Sequence, residues 1–107
     1  MTDKGKLMSD AFQLFMKESP KQARAWMDAV RALGDASALD TKTQTLAYLA
    51  VLAALRLEGG VPFHVAHAKE LGASREEVIS AILVGLPAAG NVVTQSLPTA
   101  IRAYDER

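Results

Sequence analysis

The chain has 107 residues, half of them hydrophobic, with 12 basic side chains balancing 12 acidic ones. That suffices for one domain with one core, and leaves no charge excess to drive nucleic-acid binding. Cysteine is absent, which excludes disulfides, thiolate nucleophiles and thiolate metal sites and fits a reducing compartment.

Alanine is abundant and sustained alternation of polarity is lacking, so the chain reads as helical throughout. A first helix is expected at about Leu7–Lys17, with an apolar stripe of Leu7, Met8, Ala11, Phe12, Leu14 and Phe15. Ser19 then caps a second helix opened by Pro20, whose missing N–H suits a first turn. Ala23, Trp26, Met27, Val30 and Leu33 carry its expected buried face, and Gly34 its expected stop. Asp40 caps the next helix, about Thr41–Glu58, which is apolar on nearly every side and so belongs at the centre of a domain or of an oligomer. Gly59 and Gly60 break it. Pro62 opens a helix carrying Phe63, His64, Val65, His67, Ala68 and Leu71, and Gly72 ends that helix. Ser74 and Glu77 form a reciprocal cap for a helix running to Leu86. Pro87, Gly90 and Asn91 mark a break. A last helix, about Val92–Tyr104, contains Pro98, which implies a kink or a later start. The expected fold class is all-α: a compact bundle of about six helices in a single domain, residues 1–107.

The polar start, Met1–Lys6, is followed by no signal-type apolar core, and the longest apolar stretch, Leu46–Leu55, is about half of what a bilayer crossing requires. The expectation is a soluble cytoplasmic protein with no membrane and no nucleic-acid partner. A chain this small buries only roughly two thirds of its unfolded surface, so apolar surface is left over and self-association is the expected use of it.

The two histidines, His64 and His67, are three residues apart on one helix and lie near one face. Imidazole titrates nearest neutral pH, so the pair points to a ligand pocket or acid–base site. The alternative is one half-buried histidine bonded to backbone and one on the surface. No HExxH-like set supports a metal site, and no metal or cofactor is expected. Glu58, at the edge of the apolar helix, could serve as a partner acid or be a solvated loop glutamate. Gly59, Gly60 and Gly72 lack the spacing of a phosphate-binding loop. Trp26, Met27 and Phe63 read as core. Thr94 and Ser96 have no histidine–acid arrangement close in sequence.

The segment 39–104 resembles the carboxymuconolactone decarboxylase and AhpD-like alkylhydroperoxidase superfamily. The resemblance lies in Leu39-Asp40-Thr41-Lys42-Thr43, in Phe63-His64-Val65, in Glu70 to Val78, and in Gly85 to Asn91 with the helix after it. It implies an AhpD-like helical fold. The redox branch uses a Cys-x-x-Cys-x-x-x-His motif with a glutamate one long helix upstream. Counting back from His64, the cysteine places hold Leu57 and Gly60, and the glutamate place holds Thr45. Peroxidase or disulfide-reductase chemistry by that route is therefore excluded. The decarboxylase branch acts on a carboxylated muconolactone without metal or organic cofactor. The resemblance then implies a cofactor-free lyase acting on a small organic acid or lactone, with His64 and Glu58 catalytic. Thr45, Tyr48, Leu57, Gly60, Phe63 and His67 would line its pocket, and the assembly would be a homo-trimer or homo-hexamer. The competing expectation is a catalytically silent oligomeric scaffold or small-ligand-binding protein.

Overall fold

The computed structural model describes residues 7–106, and all of their regular structure is helical. The polar stretch Met1–Lys6 lies outside the described residues. Ser9 opens α1 (Asp10–Glu18) by accepting from the Phe12 N–H at 3.2 Å, so this helix begins later than its apolar stripe suggests. Pro20 starts α2 (Pro20–Ala36) as expected. Gly34 does not stop it: the glycine stays out of the left-handed region, and the helix continues to Ala36.

The Asp40 carboxylate accepts from the Thr43 N–H at 2.8 Å to open α3 (Thr41–Ala54), and that bond holds its pKa below the ordinary carboxylate value. The helix ends at Ala54, short of Glu58, because Arg56 adopts a left-handed φ of 60°. The Leu57 N–H reaches the Leu52 carbonyl at 2.9 Å and the Arg56 N–H reaches that of Ala53 at 3.3 Å. This is the hydrogen-bond pattern of a glycine-type helix stop with arginine in the glycine position. Residues 58–60 form a 3-10 turn that leads into α4 (Val61–Glu70), with Pro62 in its first turn. At the end of α4 the same bonding pattern recurs around Gly72, whose φ is 94°.

The reciprocal cap at Ser74 and Glu77 is present, with bonds of 3.0 and 2.8 Å, and opens α5 (Arg75–Leu83). Beyond Leu83 the chain forms a short α6 (Leu86–Ala89), a 3-10 segment over 90–96 and α7 (Leu97–Asp105). Pro98 thus sits in the first turn of α7, which is the later start rather than the kink. The described residues hold seven α-helical segments, one of them the four-residue α6, in keeping with the expected bundle of about six helices. The stretch 75–105 is long and apolar enough to cross a membrane by composition. It is divided among α5, α6, the 3-10 segment and α7, each far shorter than the roughly 20 residues a spanning helix needs.

Helices α3, α4, α5 and α7 and the 3-10 segment close around one core, centred on Leu49, Val61, Val65, Val78, Ile82 and Val93. Tyr104 Oη donates to the Ala73 carbonyl at 2.8 Å, and the Arg75 guanidinium grips Asp105 at 2.9 Å, fastening α7 to the α4–α5 turn. The first two helices behave differently. They pack mainly on each other as a hairpin, α1 has no buried residue, and α2 buries only Ala23. The expected buried face of α2 is corrected accordingly: Trp26 is 57% and Leu33 71% exposed. The stripe exists, but it faces a gap beside the bundle rather than the core. As expected, α3 packs at the centre of the bundle, against α4, α5 and the 3-10 segment, but only through one side. Its inner side (Thr45, Leu49, Leu52, Ala53) is buried, while Ala47, Tyr48, Val51 and Leu55 are exposed.

Candidate functional site

Val61 and Val65 anchor the first turns of α4 in the core, which turns Phe63 and His64 away from it. His64 therefore faces the gap between the α1–α2 hairpin and the bundle. A cavity of about 270 Å³ occupies that gap. Met8, Ser9, Phe12, Trp26, Met27 and Val30 wall it on the hairpin side, and Tyr48, Gly59, Gly60, Phe63 and His64 on the bundle side. The His64 ring lies 4.6 Å from the Tyr48 ring, centroid to centroid, tilted by 57°, and 5.2 Å from the Phe63 ring, edge-on at 74°. Two aromatic neighbours restrict the imidazole in the way offset and edge-to-face ring pairs do. The glycines let the cavity wall close up: a Cβ at Gly59 would lie 3.5 Å from that of Ser9, and one at Gly60 the same distance from Leu52.

Of the residues picked out in the sequence, the fold brings Tyr48, Gly60, Phe63 and His64 together at this cavity. The others are elsewhere. Thr45 is buried in α3, and its hydroxyl donates to the Thr41 carbonyl at 2.8 Å. Leu57 is exposed on the surface. His67 lies one turn along α4, with Nδ1 3.8 Å from the Glu70 carboxylate. The Glu58 carboxylate accepts from the Arg56 guanidinium at 3.1–3.3 Å and does not line the cavity. The left-handed turn at Arg56 sets this pairing, since it ends the helix early and directs the 3-10 turn back beside its own arginine.

The hairpin's contribution was missed in the sequence. Trp26, Met27 and Phe63 do come together, but around an open cavity instead of inside a core. Amphipathic periodicity shows that α2 has an apolar side without showing what that side meets. Among the described residues, the polar groups at the cavity are the His64 imidazole, the Tyr48 phenol and the Ser9 hydroxyl, and no carboxylate, lysine or arginine lines it. Among the described residues, no three histidine, cysteine, aspartate or glutamate side chains are grouped to hold a metal ion. Such an arrangement can enclose a small, largely apolar molecule and present one imidazole and one phenol to it.

An all-α chain without thiols, with a histidine-bearing cavity between a helical hairpin and a four-helix body, defines a helical protein without cysteine chemistry. Residues 20–101 match the carboxymuconolactone decarboxylase family, and the chain belongs to that family, as a member lacking cysteine. It is similar in structure to a carboxymuconolactone decarboxylase family protein of Legionella pneumophila crystallised in its apo form, with a TM-score of 0.78 and 26% identity. The similarity covers 95% of this chain and 94% of the other. No curated protein matches the chain in sequence.

Proposed function

We propose that this protein is a non-redox, cofactor-free member of its family that takes a small organic acid or lactone into the cavity beside His64. The observation that carries this reading is the placement of the chain's one cavity-facing imidazole against Tyr48, on a wall otherwise made of apolar side chains and glycine. Ligand sites of this type are mostly apolar with few polar groups, and at about 270 Å³ this one falls near the lower end of their usual size. In this reading His64 moves a proton to or from the bound molecule and the Tyr48 phenol orients it. Transfer by a placed side chain is worth on the order of 100- to 10,000-fold in rate. Glu58 contributes to the shape of the neighbouring turn, through Arg56, rather than to the proton transfer. The protein works in the cytoplasm as a homo-oligomer, a trimer or a hexamer.

A second reading, a silent scaffold or small-ligand binder, is favoured by one feature. Among the described residues no cationic side chain lines the cavity to hold a substrate carboxylate, and that lining suits a neutral lactone or other uncharged molecule better than a dianion. The test is His64→Ala and His64→Gln, assayed for decarboxylation of a carboxylated muconolactone and for ligand-induced change in Trp26 fluorescence. Loss of turnover with the fold intact supports the enzyme. Turnover unchanged in His64→Ala refutes it. Ligand-dependent fluorescence without turnover in the wild type establishes the binder.

A further inference from the structure

The α1–α2 hairpin is the part of the described chain held least firmly. Its two helices together bury one residue, Ala23, whereas α3, α4, α5 and α7 share the core. Neither helix packs on any one bundle helix as extensively as it packs on the other. Segments with few buried apolar contacts open at the smallest cost in free energy. The hairpin side also supplies six of the eleven residues around the His64 cavity, so a motion of the hairpin moves half of the cavity wall. It joins the bundle through residues 37–40, where Ser37 and Asp40 have extended backbone (ψ 140° and 162°).

We infer that the hairpin is a lid on this cavity, hinged at residues 37–40 and latched where Ser9 meets Gly59. At the hinge end the Gln44 amide lies against Gly34, 3.6 Å from where a Cβ would stand. Val30 and Tyr48, one turn further along the same two helices, already line the cavity. At the latch end, the missing side chain of Gly59 lets the start of α1 settle on the turn that leads into α4, with 3.5 Å between the Ser9 Cβ and the place of a Cβ at Gly59. Trp26 lies ten residues before Ala36 on α2, roughly 15 Å along the helix from the hinge, so a swing of about 15° carries it about 4 Å. That is about one van der Waals contact distance, the opening a flat, uncharged molecule needs. Closure then lays Phe12, Trp26, Met27 and Val30 on the ligand. Trp26 is 57% exposed, and covering it with ligand supplies the apolar burial that the hairpin lacks. The ligand therefore favours the closed lid, because it touches both walls only in that state. The inference rests on the ligand site proposed above and adds the route by which it is entered.

Because the chain has no cysteine of its own, one engineered pair can lock the latch. The 3.5 Å separation at Ser9 and Gly59 falls within the Cβ–Cβ range of a disulfide. Ser9→Cys with Gly59→Cys is expected to cross-link within one chain on air oxidation, and the reduced form of the same variant is the reference. The readout is modification of His64 by diethyl pyrocarbonate, followed by peptide mass with His67→Gln added so that one imidazole remains. Oxidation is expected to slow the labelling by about tenfold or more, and reductant to restore it. In the wild type, amide hydrogen exchange in α2 is expected to run about tenfold or more faster than in α4 and α5, and the cross-link to narrow that gap. His64 labelled equally fast in both forms, a pair that stays reduced, or α2 as well protected as α4 would each overturn the lid. None of these readouts needs a substrate. A wild type that neither binds nor turns over ligand would overturn the function proposed above, while the labelling would still decide the lid.

Discussion

Ser96 ends the 3-10 segment immediately before α7 and has no solvent exposure. Its position before Leu97-Pro98 is that of a helix cap, but its backbone is already helical (φ −84°, ψ −11°) and its side chain caps nothing. Among the described residues its hydroxyl finds no hydrogen-bond partner. A buried hydroxyl left unpaired costs about 1–3 kcal/mol, and the 3-10-to-helix junction also favours alanine over serine by a few tenths. Ser96→Ala is therefore expected to stabilise the protein by about 1 kcal/mol or more. For a chain of this length that raises the melting temperature by roughly 4–8 °C. The assay is thermal and urea unfolding followed by helical circular dichroism at fixed protein concentration, since self-association would make the midpoint concentration-dependent. Thr45→Val is the contrasting measurement: that hydroxyl is also buried, but it donates to the Thr41 carbonyl, so its removal should lower stability by about 1 kcal/mol. A Ser96→Ala protein less stable than wild type by 1 kcal/mol or more would mean the hydroxyl has a partner, and would refute the argument.

Two further outcomes follow from the same packing. Ile82 on α5 is wholly buried in the core cluster, so Ile82→Ala should cost about 2–5 kcal/mol in urea unfolding, and a loss under 1 kcal/mol would mean the site collapses to fill the void. The carboxyls of Asp105, Glu77 and Asp40 are held below their ordinary values by the Arg75 guanidinium, by the Ser74 N–H with Lys42, and by the Thr43 N–H respectively. Lowered native values make their stabilisation complete above the unfolded carboxylate range and remove it as pH falls through the native values. The melting temperature should hale from that rule: level from neutral pH down to about pH 5, then falling below about pH 4, with a shallower acid slope in Asp105→Asn. An unchanged slope in that variant would remove Asp105 from the account.

Much of the fold was legible because helix ends are local events. Pro20, Asp40, Gly72 and the Ser74–Glu77 pair each act within one turn, and each does in the structure what its residue type requires. The early end of α3 was not legible, since Arg56 occupies a left-handed position that sequence normally marks with glycine. The division of the last third into α6 and a 3-10 segment was visible only as a break at Pro87 and Gly90. At the candidate site, His64, Phe63, Tyr48 and Gly60 could be found from spacing and resemblance, whereas Met8, Phe12 and Val30 could not, because residues distant in sequence meet there only after the hairpin folds against the bundle.

The sequence by itself determined that the protein is helical, that it lacks thiol chemistry, and which histidine stands where its family places one. Those follow from residue type and from short-range backbone bonding. Only the tertiary structure decided that Glu58 turns to Arg56, that Trp26 borders a cavity, and that α3 leaves one apolar side bare. Periodicity establishes that a helix face is apolar, but which surface meets that face depends on the packing of every other helix in the chain.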